Sequence, residues 1–234
     1  MFSRRQWIGA ASSAGVLGGI GTFLSGQLSA QEAGAAPTEA AYQPITDVPG
    51  LPRVLLIGDS ISVGYTLPVR ELLKGIANVH RIPTNAGPTP KGIEHIDAWL
   101  GKTKWDVIHF NWGLHDLKYM FDDRPQVDLG QYERNLYRLT ARLQKTGAKL
   151  IWASITPVPN RNVSPKRIPE EVVQYNEAAA RVMAKYQVPI NDLYNFALPR
   201  LAEIQRPNNV HFHDEGSRLL AGQVVAEIRK ALGK

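Results

Sequence analysis

Short, unbroken apolar runs alternate with amphipathic stretches throughout residues 53–234, and this alternation is the strongest constraint the sequence places on its fold. Val54-Leu55-Leu56-Ile57 is ended by Gly58, and further short strands are read at 79–82, 106–110, 149–153 and 188–190. Runs this short with no polar alternation are expected of strands buried on both faces. Between them, 62–73, 92–100, 132–145, 170–186 and 215–232 carry helical spacing, several stopped by glycine. Strands alternating with helices of this length form parallel βαβ units with right-handed crossovers and helices on both faces of one sheet. The expectation is a three-layer α/β/α sandwich around a parallel five-stranded sheet. In such a sheet ligands bind beyond the carboxyl ends of the strands, so the loops after strands one to four are where chemistry is expected.

The first thirty residues read differently. Ser3-Arg4-Arg5-Gln6-Trp7-Ile8 has the form of a twin-arginine export signal, followed by an apolar stretch over 8–24 that is rich in Gly, Ala and Ser. That stretch is too weakly hydrophobic for a membrane span, and Leu28-Ser29-Ala30 offers small residues for cleavage. The expectation is a signal peptide over 1–30, an Ala/Pro-rich linker or N-terminal arm over 31–52, and one domain over 53–234. The mature protein is then expected in the periplasm or outside the cell, with no stable membrane insertion once the signal is removed.

Composition narrows the function further. Arg4 and Arg5 account for two of the 27 basic residues, and 1–30 holds no acidic one, so 25 basic residues face 21 acidic ones in the remainder. These charges are scattered rather than gathered into a basic face, which argues against a nucleic-acid partner. The chain has no cysteine, which excludes disulfides, thiolate-bound zinc and thiol catalysis. Neither a Gly-x-Gly-x-x-Gly turn nor a Gly-Lys-Ser/Thr loop is present to cradle phosphates.

Four loop segments concentrate reactive side chains. Gly58-Asp59-Ser60 follows the first strand and opens a helix, which places a hydroxyl near free backbone N–H groups; an ordinary helix cap would also explain it. Asn85-Ala86-Gly87 follows the second strand, where a glycine can bring its N–H close to a substrate or simply make a turn. Asn111-Trp112-Gly113-Leu114-His115-Asp116 follows the third. Asn208-Asn209-Val210-His211-Phe212-His213-Asp214 precedes the last helix, and His211 there can serve as base for Ser60. The pair His211 and His213, with Asp214, is a weak metal pattern with no further partner at useful spacing, and no metal or other cofactor is expected.

In this order and at this spacing, the four segments resemble the sequence blocks of the SGNH (GDSL-like) hydrolases: Gly-Asp-Ser, a loop Gly, Gly-x-Asn-Asp, and Asp-x-x-His before the last helix. The resemblance spans about 53–232. It implies a flavodoxin-like sandwich and a serine esterase. Ser60 is then the nucleophile, its N–H, the Gly87 N–H and the His115 side chain form the oxyanion hole, and His211 is the base. Asp59, Asn111, Trp112 and Asp116 become candidates for substrate contact. Two positions depart from the family pattern: His115 stands in place of an Asn, and Asn208 in place of the triad Asp. A neutral imidazole can still donate one N–H, and an Asn carbonyl can orient a histidine without supplying charge. Asn208 therefore orients the base, another carboxylate substitutes, or the chain has lost activity; the first is the expectation. The expected partner is a small-molecule or polysaccharide ester, short-chain and most of all an O-acetylated carbohydrate, with Trp112, Tyr119 and Trp152 as candidate stacking surfaces. The rival is a carbohydrate-binding or scaffold protein that keeps the fold without the chemistry.

Overall fold

In the computed structural model, residues 37–234 are described except for 121, 161 and 162. The expected signal segment, 1–30, lies outside the described residues. Five strands, β1 (Arg53–Ile57), β2 (Asn78–Arg81), β3 (Val107–Phe110), β4 (Lys149–Ala153) and β5 (Ile190–Asn191), form one sheet in the order β2-β1-β3-β4-β5. Every pairing is parallel, with Val54 opposite both Val79 and Val107, and Val107 opposite Lys149. All four residues of β3 and the last four of β1 and β4 are buried, as the apolar runs require of strands covered on both faces.

The covering helices are α1 (Pro37–Tyr42), α2 (Ser60–Leu72), α3 (Thr89–Leu100), α4 (Leu129–Gln144), α5 (Pro169–Lys185), α6 (Leu193–Ala197), α7 (Leu201–Ile204) and α8 (Asp214–Leu232). Helix α2 packs against α1 and α8, while α3, α4 and α5 pack in a row. These two groups are the outer layers of the expected sandwich. The long helices begin one to three residues earlier than their apolar periods suggest, and in α2 and α4 a capping side chain starts them. Asp59 caps α2 by accepting the Ile61 N–H, and Asp128 caps α4 by accepting that of Gln131. The short helices α6 and α7 escaped the sequence reading, being below the length at which a helical period can be read.

Residues 37–52 form an arm fixed to the domain. Arg70 donates to the carbonyls of Ala40 and Gln43, and the Asn78 side chain binds the backbone of Val48 and Leu51. Ala41 is fully buried.

The chain runs outward from β1 to β2, then crosses back to place β3 on the other side of β1. The crevice between β1 and β3 is thus the switch point of the sheet, where open α/β folds take their ligands. The loops carrying Ser60 and His115 leave β1 and β3 at that crevice. The loop carrying His211 is held there by its anchor on α7: the His213 N–H donates to the Ile204 carbonyl at 2.9 Å. A Cβ on Gly216 would lie 2.4 Å from that same carbonyl oxygen. Gly216→Ala is therefore expected to cost ~1–3 kcal/mol of stability, measured by denaturant unfolding, as α8 is pushed off the segment that presents His211. An unchanged unfolding midpoint would show that the junction relaxes freely.

Candidate active site

Ser60 is the first residue of α2, so its N–H has no partner inside the helix. Its Oγ lies 2.8 Å from His211 Nε2. On the other side of the ring, His211 Nδ1 lies 2.6 Å from Asn209 Oδ1. The backbone N–H of His211 donates to that same atom at 3.0 Å. An atom that receives a backbone N–H must be the carbonyl oxygen of the amide. Nδ1 therefore carries the ring proton, and the Nε2 lone pair faces the Ser60 hydroxyl. This is the tautomer that a base for Ser60 needs.

The residue that orients the ring is thus Asn209, and the expectation of Asn208 is corrected. Asn208 is exposed at the tip of a turn, with φ +53°. The turn is closed by the Arg206 N–H on the His211 carbonyl and the Asn209 N–H on the Arg206 carbonyl. Asn209 binds the residue two positions on, as Asn side chains do in turns. That preference is readable in Asn-x-His, but the family spacing of three points to the wrong asparagine.

Burial holds the pKa of His211 below its ordinary value; Asp59 opposes this, and Arg206 and Arg167 add to it. His115 is held down in the same way, by burial against Asp59 and with help from Lys118, Arg167 and Lys91. Both rings are therefore neutral at pH 7. The half-buried His115 side chain takes no hydrogen-bond partner among the described residues, so it has an N–H to offer a ligand. Gly87, with φ +62°, holds the expected position, yet its N–H donates to Asn85 Oδ1 at 2.9 Å. Its expected place in an open oxyanion hole is corrected to a donor already engaged, which becomes available only when the Asn85 side chain turns away.

Four other candidates support the site from within. The Asp59 carboxylate, 3% exposed, is spent on capping α2. Asn111 donates to the Ala153 carbonyl at 2.7 Å, which ties the end of β3 to that of β4. Asp116 is fully buried and accepts both the N–H and hydroxyl of Thr89, while burial pushes its pKa up to about 7. Trp112 is wholly buried against Gly92, where a Cβ would lie 2.8 Å from the indole. In this structure each of the four is committed to packing or to a neighbour. Trp152 is equally buried, and the Tyr119 hydroxyl donates to Glu171 at 2.6 Å. The expectation of stacking surfaces at Trp112 and Trp152 is corrected. His213 stands exposed at the N-cap position of α8, where its side chain makes no capping hydrogen bond.

Two arginines that the sequence reading passed over belong to the site. Arg81, buried at the end of β2, donates to the carbonyls of Gly58 and Asp59 and to the hydroxyls of Ser62 and Thr66. It clamps the turn that presents Ser60, with its guanidinium over the ring of Tyr42. Arg167 donates from Nε to the Leu114 carbonyl at 2.9 Å, directly behind His115. Neither has a local motif; each is placed only by the folded sheet. Beside Ser60 and His211 opens a groove of about 790 Å³, lined also by Tyr42, Leu67, Asn85, Arg206, Asp214 and Arg218.

The sequence signature of the GDSL-like lipase/acylhydrolase family matches residues 56–219, which hold all four reactive loops. The chain belongs to this family. Among solved structures it is similar to the lipase/acylhydrolase from Enterococcus faecalis, at 19% identity and a TM-score of 0.68 over 77% of this chain and 96% of that one. An acetyl xylan esterase, AlAXEase, aligns at 16% identity and a TM-score of 0.66, over 75% of this chain and 99% of the other. The acetylxylan esterase Axe2 from Geobacillus stearothermophilus aligns at 17% identity and a TM-score of 0.62, over 76% and 94%. No curated protein sequence matches the chain. At these identities the likeness establishes the α/β fold, and the chemistry is argued from the side chains.

Proposed function

We propose that this acylhydrolase-family protein is a serine esterase of short-chain carboxylic esters, chiefly O-acetyl groups on carbohydrate, working by acyl transfer through Ser60 and His211. The observation that carries the reading is the Ser60–His211–Asn209 chain of hydrogen bonds at 2.8 and 2.6 Å, with the proton on the correct nitrogen. Ser60 Oγ attacks the ester carbonyl as Nε2 takes its proton, and a tetrahedral oxyanion forms. The leaving alcohol receives that proton, and water repeats the sequence on the acyl-enzyme. The oxyanion rests on the Ser60 N–H and the His115 side chain, joined by Gly87 when Asn85 releases it. Every step of this scheme runs on side chains and backbone N–H groups of the chain itself.

The acetyl-carbohydrate preference is supported by the open groove beside Ser60 and His211 and by the acetylxylan esterases among the fold neighbours. Release of acetate from acetylated saccharides, with Ser60→Ala as control, tests it; hydrolysis confined to long-chain esters would refute it. The rival of a binding protein without chemistry is disfavoured, because a scaffold has no use for an aligned nucleophile and base. An organophosphonate that fails to label Ser60 would revive it.

His115 permits a sharper prediction. His115→Ala is expected to lower kcat by ~10²–10³ with little change in KM, since its N–H meets charge that exists only in the transition state. His115→Asn keeps a donor and is expected to fall between the two. Equal kcat in all three proteins would make His115 a structural residue.

We also propose that the protein acts after export, on the strength of Arg4-Arg5, the apolar stretch over 8–24 and Leu28-Ser29-Ala30. Among the described residues no helix is long and apolar enough to cross a membrane. Fractionation that recovers the full-length chain only from cytoplasm would remove this part of the reading.

A further inference from the structure

Four cations gather around the two active-site imidazoles. Lys91, Lys118 and Arg167 act on His115, and Arg206 and Arg167 on His211. Contacts fix where three of them sit. The Lys91 stem covers Gly87, where a Cβ would lie 3.0 Å from its Cδ, and its Nζ donates to the Asn85 carbonyl at 2.9 Å. Arg206 lines the groove with Ser60 and His211. Arg167 is aimed by two carbonyls, Leu114 at 2.9 Å and Pro165 at 3.1 Å.

None of these four forms an ion pair with a carboxylate among the described residues, whereas Arg142 pairs with Asp97, Arg181 with Glu133 and Arg218 with Glu71 on the outer helices. The acids nearby, Glu170 beside Arg167 included, stop short of ion-pair distance. Asp59 is turned into the cap of α2, Asp116 is buried on Thr89, and Asp214 shares its side of the groove with Arg218. Arg167 is the most exacting case. It is half-buried, so its charge has lost much of its water, and burial pulls its pKa down against the opposing pull of the Asp59 carboxylate. Two neutral carbonyls and a carboxylate that caps α2 without touching Arg167 leave much of its guanidinium unmet, since that group has five N–H donors and presents a fork suited to a carboxylate. An unbalanced, desolvated cation at the edge of an active site is a standing cost unless an anion arrives with the substrate.

We propose that the substrate is anionic: an ester of an acidic saccharide whose carboxylate docks on Arg167, with Lys91, Lys118 and Arg206 forming a positive rim around the ester. The inference rests on the reading of the chain as a Ser60-dependent esterase and adds the charge of the saccharide that carries the acyl group. It also separates this chain from the fold neighbours titled acetylxylan esterases, since a xylan backbone is uncharged.

The test compares acetylated oligogalacturonate with acetylated xylo-oligosaccharide as substrates for wild type, Arg167→Gln and Arg167→Lys across a sodium chloride series. Wild type is expected to favour the acidic ester by roughly 10- to 100-fold in kcat/KM, the worth of one charge-assisted pair. The preference should reside in KM and shrink as salt rises. Arg167→Gln should lose most of it, and Arg167→Lys should keep part. A strut holding the His115 loop would behave otherwise: Arg167→Gln would lower kcat on both esters alike and leave their ratio intact, which overturns the proposal. So does equal use of both esters by wild type, and that result leaves the esterase reading standing. Hydrolysis that survives Ser60→Ala defeats the esterase reading instead. Calorimetry then judges the charge independently: folded Ser60→Ala protein should bind the acidic oligomer more tightly than the neutral one, and equal binding refutes the inference.

Discussion

Replacing Ser60 with alanine is expected to leave a folded protein whose ester hydrolysis has fallen by ~10⁴–10⁶, the loss seen when a Ser–His unit is broken. The fold should tolerate the change for reasons visible around the residue. Ser60 is half-buried, its hydroxyl is bonded only to His211, and the cap of α2 belongs to Asp59 rather than to it. Arg81 grips the turn through the carbonyls of Gly58 and Asp59, which the substitution leaves in place. Alanine is also the best helix former available for the first turn. The melting temperature should therefore stay close to that of wild type while acetate release disappears. Because nucleophile and base act as one unit, adding His211→Ala to Ser60→Ala should cost almost nothing more. Turnover in Ser60→Ala near the wild-type rate would end the serine-esterase reading; a collapsed melting temperature would mean that the hydroxyl holds the turn together.

How much of this was legible in the sequence differs by level. The sheet was, because its central strands are covered on both faces and appear as short, largely apolar runs such as Val54-Leu55-Leu56-Ile57. Parallel pairing followed from the intervening helical periods, whose lengths leave room for crossovers. The reactive loops were legible as well, since a strand followed at once by Ser60 or His115 must place that residue at the carboxyl edge. What failed is what depends on side-chain direction. Trp112 stands at a strand end beside reactive residues, and only the close approach of Gly92 shows that its indole points into the core. Asn111 and Asp116 are polar and sit near the site, yet their partners Ala153 and Thr89 are distant in sequence. Arg81 and Arg167 carry no motif, and no local pattern announces a guanidinium that will meet carbonyls 23 or 53 residues away. Asn209 was missed through reliance on family spacing, where the hydrogen-bonding habit of Asn in turns would have indicated it.

Replacing Asn209, whose amide oxygen faces His211 Nδ1, is expected to separate orientation of the ring from charge. His211→Ala removes the base outright and is expected to match the loss in Ser60→Ala, ~10⁴–10⁶. Asn209→Ala leaves the imidazole but frees its tautomer, so the loss should be smaller than that of His211→Ala. The pH profile follows from protonation. Nε2 must be unprotonated to accept the Ser60 proton, so kcat/KM rises with pH through the pKa of free-enzyme His211. Burial, with Arg206 and Arg167, places that value below the ordinary histidine range, against the opposing pull of Asp59. The wild-type inflection should thus lie below ~6.5, with a plateau across neutral pH. Asn209→Asp sets a carboxylate against Nδ1, which favours the imidazolium and should move the inflection upward by ~1–3 units. The same charge stabilises the imidazolium formed in the transition state, so the plateau rate above the new inflection is expected to rise. Asn208→Asp puts its charge on the exposed tip of the turn, where solvent screens it, and should shift the inflection far less. Four pH–rate profiles on an acetyl ester decide the matter: an inflection that moves with position 208 and stays fixed with position 209 would show that the ring is oriented from Asn208 after all.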